Sequence, residues 1–142
     1  MLVSTRGRYA LRVMIDLAEH DSEKFVPMKD VAARQEISLK YIAGIMPLLT
    51  QAGLVEGMHG KGGGYRLTRA PEDYPLGEIL RLTEGTLAPI SCLEEGAKPC
   101  PRESSCSTLP MWRELNQLIT DYLDHKTLAD LLGREPGDQY VI

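Results

Sequence analysis

The chain has 142 residues, of which 43% are hydrophobic and 25% charged. These proportions fit one globular domain with a small appendage and disfavour a disordered chain or a fibre. No apolar run is long enough to cross a bilayer, because Asp16, Glu19 and Asp21 interrupt the best N-terminal stretch. The N-terminus lacks a signal-peptide pattern, so we expect a cytoplasmic protein with no membrane partner.

Charge is unevenly distributed along the chain. The net charge of −4 by itself argues against a nucleic-acid binder. However, residues 1–70 contain ten Lys and Arg against seven Asp and Glu, a net charge of +3, whereas residues 71–142 contain six against thirteen, a net charge of −7. This asymmetry fits a nucleic-acid module joined to a sensing or assembly region. A protein with uneven but functionless surface charge would fit equally well.

Three helices are predicted in the N-terminal half. Apolar residues recur at helical spacing over residues 9–18, with Ser4 or Thr5 placed to cap the start of this first helix. Pro27 opens a short second helix. Ser38 caps a third helix, which is predicted over residues 39–51 and stops at Gly53. Two short helices joined by a few residues indicate a helix-turn-helix unit, although a plain helical hairpin has the same pattern.

The start of the third helix is the candidate reading element, because such helices place their N-terminal residues at base edges in the major groove. These residues are Ser38, Lys40 and Tyr41. We expect a bend near Ala43, since Pro47 within the helix removes a hydrogen bond at a cost of about 3 kcal/mol. The residues expected to face the core are Ile37, Leu39, Ile42, Ile45, Leu48 and Leu49.

A glycine-rich hairpin is predicted directly after the third helix. Residues 54–59 can form a strand, residues 60–64 a loop, and residues 65–68 a return strand. This order is typical of the wing of a winged-helix domain, in which glycines let the backbone approach the sugar–phosphate chain. A nucleotide phosphate loop is disfavoured, because the Gly-Lys-Ser/Thr order before a helix is absent. The candidate cationic contacts to phosphate or to a narrow minor groove are His59, Lys61 and Arg66.

The predicted fold is mostly α with a small β-hairpin wing. We divide it into three parts: a winged helix-turn-helix domain (1–85), a cysteine-bearing sensor loop (86–110), and a dimerisation helix with a tail (111–142). The first part ends in a short amphipathic helix that stops at Gly85 and is expected to pack on the first helix. A shorter helix is expected near Leu128, and residues 133–142 are expected to be mobile. The last helix has more apolar surface than so small a domain can cover, so we expect a homodimer, with packing inside one subunit as the alternative. A two-fold dimer would read a palindromic operator through grooves about 34–36 Å apart. The predicted interface residues are Trp112, Leu115, Leu118, Ile119 and Tyr122.

All three cysteines lie inside the sensor loop, within a span of fifteen residues. Cys92, Cys100 and Cys106 are separated by seven and five residues, and an odd number disfavours a secreted disulfide scaffold. Soft thiolates favour an iron–sulphur cluster, which tolerates wide spacing and a non-cysteine fourth ligand. Three other interpretations of the cysteines remain open. They are a zinc site, although the two-residue knuckles usual for zinc ligands are absent, a thiol redox switch, and no chemistry at all.

Several short segments together match one known family. They are residues 4–10 (STRGRYA), 37–42 (ISLKYI), 52–55 (AGLV), 60–65 (GKGGGY), 76–79 (LGEI), 84–85 (EG) and the stretch from Cys92 to Trp112. The sequence resembles, over nearly its whole length, the IscR-like family of winged-helix transcription regulators, whose relatives include the nitric-oxide sensor NsrR and the cysteine-metabolism repressor CymR. The resemblance implies a homodimeric DNA-binding regulator in which the three loop cysteines hold a [2Fe–2S] or sometimes a [4Fe–4S] cluster.

The chain departs from that family at the fourth cluster ligand. IscR-like proteins have a His three residues after the third cysteine, where this chain has Leu109, and NsrR-like proteins use an Asp at the place that corresponds to Arg8. A discriminating acidic residue of the family's reading helix is replaced by Ala43, so ligand-dependent switching between DNA sites is not carried over. The alternative fourth ligands are Glu94, Glu95, Glu103 and His125.

We therefore predict a homodimeric regulator of double-stranded DNA that is controlled by an iron–sulphur cluster, most simply [2Fe–2S]. Arg6 and Arg8 of the first helix are expected to join the reading helix and the wing on the operator. One alternative is a cluster-free regulator controlled by cysteine oxidation or a partner protein, and another is a zinc-stabilised interaction module that does not touch DNA. An enzyme is least favoured, because no Ser-His-Asp or His-Glu constellation can be argued from spacing.

Overall fold

The computed structural model describes residues 3–20 and 24–133, and most of the expected mobile end lies outside them. Its helices are α1 (Thr5–Glu19), α2 (Met28–Gln35), α3 (Leu39–Gln51), α4 (Leu76–Glu84) and α5 (Leu109–His125). Strands β1 (Val55–Met58) and β2 (Gly64–Leu67) form an antiparallel hairpin, with Val55 opposite Leu67 and Met58 opposite Gly64. The predicted fold class, mostly α with a two-stranded wing, is confirmed. Among the described residues, none of the helices combines the length and apolarity needed to cross a bilayer.

The capping signals in the sequence act as predicted. The Ser38 hydroxyl accepts a hydrogen bond of 3.1 Å from the backbone amide of Tyr41 at the start of α3. The Ser4 hydroxyl does the same at 3.2 Å for the amide of Gly7 at the start of α1. Each bond satisfies an amide that has no partner within its helix. The helix that begins at Leu76 ends at Gly85, where φ is +81°.

Apolar side chains of α1, α2, α3, α4 and the base of the hairpin form one core. The largest fully buried members include Met14, Leu17, Ile42, Ile45, Met46, Leu49, Leu54, Tyr74 and Ile79. Helix α4 packs against α1, as its amphipathic pattern predicts, and α5 packs against α4. The core therefore fixes the position of α3 and the hairpin relative to the first helix.

The hydroxyl of Tyr74 attaches the hairpin to this core. It donates a hydrogen bond of 2.7 Å to the carbonyl of Leu54, just before β1. It accepts bonds of 2.9 Å and 3.0 Å from the amides of Thr68 and Arg69, just after β2. One fully buried side chain thus holds both ends of the hairpin, which determines where the wing leaves the domain.

A buried carboxylate joins α1 to α2. Asp16 is fully buried and accepts hydrogen bonds from Arg34, at 2.7 Å from Nη2 and 3.1 Å from Nε, and from the Gln35 side chain at 3.0 Å. The bond to Asp16 is the main cause that raises the pKa of Arg34 above its ordinary value. Arg12 donates to both the side chain and the carbonyl of Gln35. Because a buried charge is costly unless it is paired, this network fixes α2 on α1.

Several expectations about individual residues are corrected by the structure. Leu39 is 50% exposed and does not face the core, because helical side chains point toward the N-terminus and the first residue of α3 therefore projects past its end. By contrast, the predicted span of α3 is confirmed, with Pro47 inside the helix. Helix α5 begins at Leu109, two residues earlier than expected, since Pro110 in its first turn has no amide to leave unpaired. The short helix expected near Leu128 is a 3₁₀ turn.

We expect Arg34→Ala to lower the free energy of unfolding by about 3 kcal/mol, since it leaves the Asp16 carboxylate buried without its cation. Urea unfolding followed by circular dichroism measures this change. The matched control is Lys29→Ala, an exposed cation on the same helix, for which we expect a change below about 0.5 kcal/mol. Equal losses in the two variants would contradict the assignment of this network as the α1–α2 junction.

Candidate nucleic-acid interface and cysteine cavity

The start of α3 lies beside the start of α1. The side chains that border the shallow depression between them, about 360 Å³ in volume, are Arg6, Ser38, Lys40, Tyr41, Gly44 and Ile45. The ring of Tyr9 on α1 meets the ring of Tyr41 edge-on at 5.1 Å, and the Arg12 guanidinium lies 5.2 Å from the centre of the Tyr9 ring. The structure thus brings Arg6 together with the three residues predicted at the reading end of α3.

The hairpin is attached to the segment that precedes α2. Val26 and Tyr65 exchange backbone hydrogen bonds of 2.8 Å and 2.9 Å, which adds a short bridge beside β2. Gly64 makes this approach possible, because its φ is +149° and a Cβ there would overlap the carbonyl of Val26. The wing is therefore fixed relative to the helix-turn-helix, while its loop, with exposed His59 and Lys61, projects into solvent.

Arg66 lies at the base of the wing. Its guanidinium lies over the ring of Phe25 at 4.4 Å, and it forms an ion pair with Glu56 on the opposite strand. This geometry favours a role for Arg66 in holding the hairpin, because the Phe25 ring and the Glu56 carboxylate engage the guanidinium that was predicted to contact DNA. Sequence reasoning missed Phe25, since the residues between α1 and α2 carry no periodic signal.

The two arginines predicted on α1 are exposed. The Arg8 guanidinium donates a hydrogen bond of 3.1 Å to the Thr5 hydroxyl within the first turn. Arg12 lies one turn further along α1, where it contacts Tyr9 and Gln35. It was not predicted to belong to the cationic surface at the start of this helix. The spacing of four residues between Arg8 and Arg12 places both on one side of the helix, and this spacing could have identified Arg12 from the sequence.

The three cysteines line one cavity of about 220 Å³ between the sensor loop and the start of α5. We call it the cysteine cavity; its other walls include Leu93, Ala97, Lys98, Glu103, Leu109 and Arg113. All three thiols are free, with Cys92 and Cys100 exposed and Cys106 partly buried. Within residues 3–20 and 24–133, no three His, Cys, Asp or Glu side chains stand close enough to hold a metal ion. The loop thus gathers the thiols around one space without bringing them to coordination distance.

The thiol of Cys106 lies in an environment that favours its thiolate. Its sulphur is 3.5 Å from the Thr108 hydroxyl. That hydrogen bond is the main cause that lowers the pKa of Cys106, followed by the backbone amide of Thr108. A thiolate is the form that binds metals and attacks electrophiles, so this cysteine is suited to either chemistry.

The alternative fourth ligands differ in their position relative to the cysteine cavity. Glu103 lines it and accepts a hydrogen bond of 3.0 Å from Arg113. Glu94 and Glu95 border a different cavity, of about 440 Å³, between α4, the loop and α5. His125 ends α5, sixteen residues from Leu109 and therefore about 24 Å along the helix. Only Glu103 of these four shares the space of the thiols within one chain.

Helix α5 has one packed side and one open side. Arg81 on α4 donates hydrogen bonds of 2.6 Å and 3.0 Å to Asp124, and this pair holds the pKa of the carboxyl below its ordinary value. On the open side, Leu118 and Tyr122 are 63% and 62% exposed, and Met111 and Leu115 are also exposed. Of the other predicted interface residues, Trp112 and Ile119 are partly buried.

A helix-turn-helix with a fixed wing, followed by a cysteine loop and a long open helix, defines the class of winged-helix transcription regulators. The Rrf2 family model, described as an iron-dependent transcriptional regulator, matches residues 3–134. The chain belongs to the Rrf2 family, which confirms the resemblance to IscR-like regulators. Its relatives are transcription regulators, and DNA binding is implied by the family.

Individual relatives and solved structures agree with the assignment to this family. The Rrf2 protein of Nitratidesulfovibrio vulgaris is 39% identical over 132 residues, which cover 93% of this chain and 87% of that protein. The structure is similar to that of the global cysteine regulator CymR of B. subtilis, with a TM-score of 0.75 and 33% identity over 92% of this chain and 95% of the other. It is also similar to IscR of T. potens, with a TM-score of 0.72 and 35% identity over 92% and 85% of the two chains.

Proposed function

We propose that the protein is a homodimeric regulator that binds a palindromic DNA operator and is controlled through an iron–sulphur cluster on Cys92, Cys100 and Cys106. The observation that supports it best is the grouping of exposed cations around the start of α3 in a chain whose net charge is −4. The class of the relatives supports DNA as the partner, and the cysteine cavity supports the cluster.

DNA would be held by three elements at once. The first turn of α3 would enter the major groove, with Ser38, Lys40 and Tyr41 at the bases and nearby phosphates. Arg6 and Arg8 on α1 would meet the backbone on one side, since guanidinium groups match phosphate oxygens. The wing loop, with His59 and Lys61, would meet the backbone or a narrow minor groove on the other side.

We expect Lys61→Ala to weaken binding similarly on all DNA sequences and to reduce the slope of log K against log salt by about 0.9, the value for one phosphate contact. Fluorescence anisotropy with a labelled duplex at several salt concentrations measures it. The control Lys61→Arg keeps a cation at the tip of the wing and should leave the slope unchanged. An unchanged slope in Lys61→Ala would contradict a wing contact to phosphate.

The dimer would form through the open side of α5. Leu115, Leu118 and Tyr122 are spaced three and four residues apart on one face of α5 and are exposed, and such an apolar face is typical of a protein interface. A two-fold axis along two such helices would pair identical faces and separate two reading helices by about one helical turn of DNA. This arrangement supports a palindromic target.

We expect Leu118→Arg to convert the protein to a monomer at micromolar concentration, because it would bury a cation without a partner in the proposed interface. Analytical ultracentrifugation reads out the mass. Gln117→Arg, which adds the same cation at the neighbouring exposed position beside Asp121, serves as the control and should remain a dimer. A wild-type chain that sediments as a monomer would defeat the dimer itself.

The donor set of the cysteine cavity fits an iron–sulphur cluster. Three thiols and the carboxylate of Glu103 surround one space, and soft thiolates with one oxygen ligand suit such clusters better than zinc knuckles do. Bound there, a cluster would make the protein responsive to iron supply and oxidants. Because the donors do not yet stand at coordination distance, holding the cluster requires the loop to close, which supports a coupling between loading and loop order.

A short route connects this loop to the DNA-facing end of α1. The loop leaves α4 at Gly85, and the preceding Glu84 accepts hydrogen bonds of 2.8 Å from both the amide and the hydroxyl of Ser4. Ser4 caps α1 directly before Arg6 and Arg8. Ordering of the loop would therefore bias the position of these arginines, and DNA affinity would change as far as the cluster prefers one arrangement.

We expect protein purified without oxygen to be coloured and to contain iron and sulphide, and Glu103→Gln to shift its visible and paramagnetic resonance spectra, because an amide is a poorer ligand than a carboxylate. Glu95→Gln, whose side chain borders the other cavity, is the control and should match the wild type. A colourless, iron-free wild type would defeat the cluster. Unchanged spectra in Glu103→Gln would remove Glu103 as its fourth ligand.

A second candidate function is a cluster-free regulator that responds to cysteine oxidation. It is favoured by the exposure of the free thiols of Cys92 and Cys100 on the same cavity. In that case the iron-free protein would bind DNA, and a disulfide between two loop cysteines, detected by mass spectrometry, would change its affinity.

A further inference from the structure

One large apolar side chain stands at the reading end of α3. Leu39 lies between Ser38 and Lys40, and half of its surface is exposed to solvent. Leu39 was expected in the core. The buried side of α3 is formed instead by Ile42, Ile45, Met46 and Leu49. A single exposed leucine is ordinary on a protein surface, but this one lies on the turn that such helices present to base edges, between polar Ser38 and cationic Lys40.

The surroundings of Leu39 offer few groups for hydrogen-bonding readout of bases. Its neighbours one turn further along are Ile42, which is buried, and Ala43, which is exposed, and neither carries a polar side chain. The Ser38 hydroxyl already accepts the hydrogen bond that caps α3. Lys40 and Tyr41 are therefore the long polar side chains left on this turn. Apolar contact at Leu39 would add sequence preference to what Ser38, Lys40 and Tyr41 supply.

We infer that Leu39 is a specificity-determining residue that contacts the 5-methyl group of a thymine in the major groove. This inference rests on the proposed DNA binding. The thymine methyl is the apolar group that bases present in that groove, and it distinguishes T from C and from the purines. Helices that read DNA place their first residues at the base edges, and Leu39 is the first residue of α3.

The charge around Leu39 favours a nucleic acid over a protein as its partner. Arg6 and Lys40 border one depression together with Ser38, and Leu39 stands between Ser38 and Lys40 in the first turn of the helix. Phosphates of a duplex would pair with these cations while the leucine reaches the base edge between them. The small side chains of Ala43 and Gly44 leave room for the groove to approach α3 closely.

The test uses a duplex enriched from a random library by the full-length wild-type protein. Thymidine is then replaced by deoxyuridine at one position at a time, which removes the methyl group and preserves base pairing. Affinities are compared for the wild type, for Leu39→Ala, and for the control Gln51→Ala at the opposite, exposed end of α3. Alanine keeps the helix propensity of position 39, and circular dichroism checks the fold.

We expect one thymine in each half-site whose replacement weakens wild-type binding about fourfold, the ratio that corresponds to burial of one methyl group. Gln51→Ala should show the same loss. Leu39→Ala should bind the thymine duplex more weakly and no longer distinguish thymine from uracil at that position. The inference is overturned if no thymine is sensitive in the wild type, or if Leu39→Ala keeps the full difference. If no duplex is enriched, the proposed DNA binding fails first, and this outcome is distinguishable from the other two.

Discussion

The buried carboxylate of Asp16 is the interaction on which the arrangement of the DNA-facing elements depends. It holds Arg34 and Gln35 of α2 against α1, and Gln35 in turn accepts hydrogen bonds from Arg12. Helix α2 leads directly into α3, and α1 carries Arg6 at its start. A fully buried anion tolerates little displacement of its partners, so this junction sets the separation between the arginines of α1 and the reading end of α3. The wing is added to the same body through Val26 and Tyr74.

The electrostatic character of the protein follows from where the charges lie and not from their sum. Exposed cations gather at the starts of α1 and α3 and at the tip of the wing, whereas thirteen of the twenty acidic residues lie in the second half of the chain, residues 71–142. A duplex that approaches the cationic end meets an attractive field, and the acidic half is directed to other tasks. Those tasks, in the proposed function, are the cluster and the dimer.

Local signals of the sequence were sufficient for the fold because they act over a few residues. Ser38 had to cap a helix, Gly85 had to end one, and the glycine run after β1 had to turn a hairpin, whatever the rest of the chain did. Contacts between distant segments carried no such signal. The stacking of Arg66 on Phe25, the hydrogen bonds of the Tyr74 hydroxyl and the shared cavity of Glu103 with the thiols all depend on how the elements pack. Leu39 was assigned to the core because it continues the apolar periodicity of α3. That periodicity does not indicate that the helix begins at Leu39, where the side chain projects beyond the core.

The claim that the starts of α1 and α3 and the wing loop form one duplex-binding surface is tested most directly by amide chemical shifts. Nitrogen-15-labelled wild-type protein is titrated with a DNA duplex enriched by the protein, under conditions that keep any cofactor bound. The account predicts that the largest shifts cluster in the first turns of α1 and α3 and at the tip of the hairpin, while the open face of α5 is unaffected. Shifts confined to α5 or to the sensor loop, or none at saturating duplex, would contradict it.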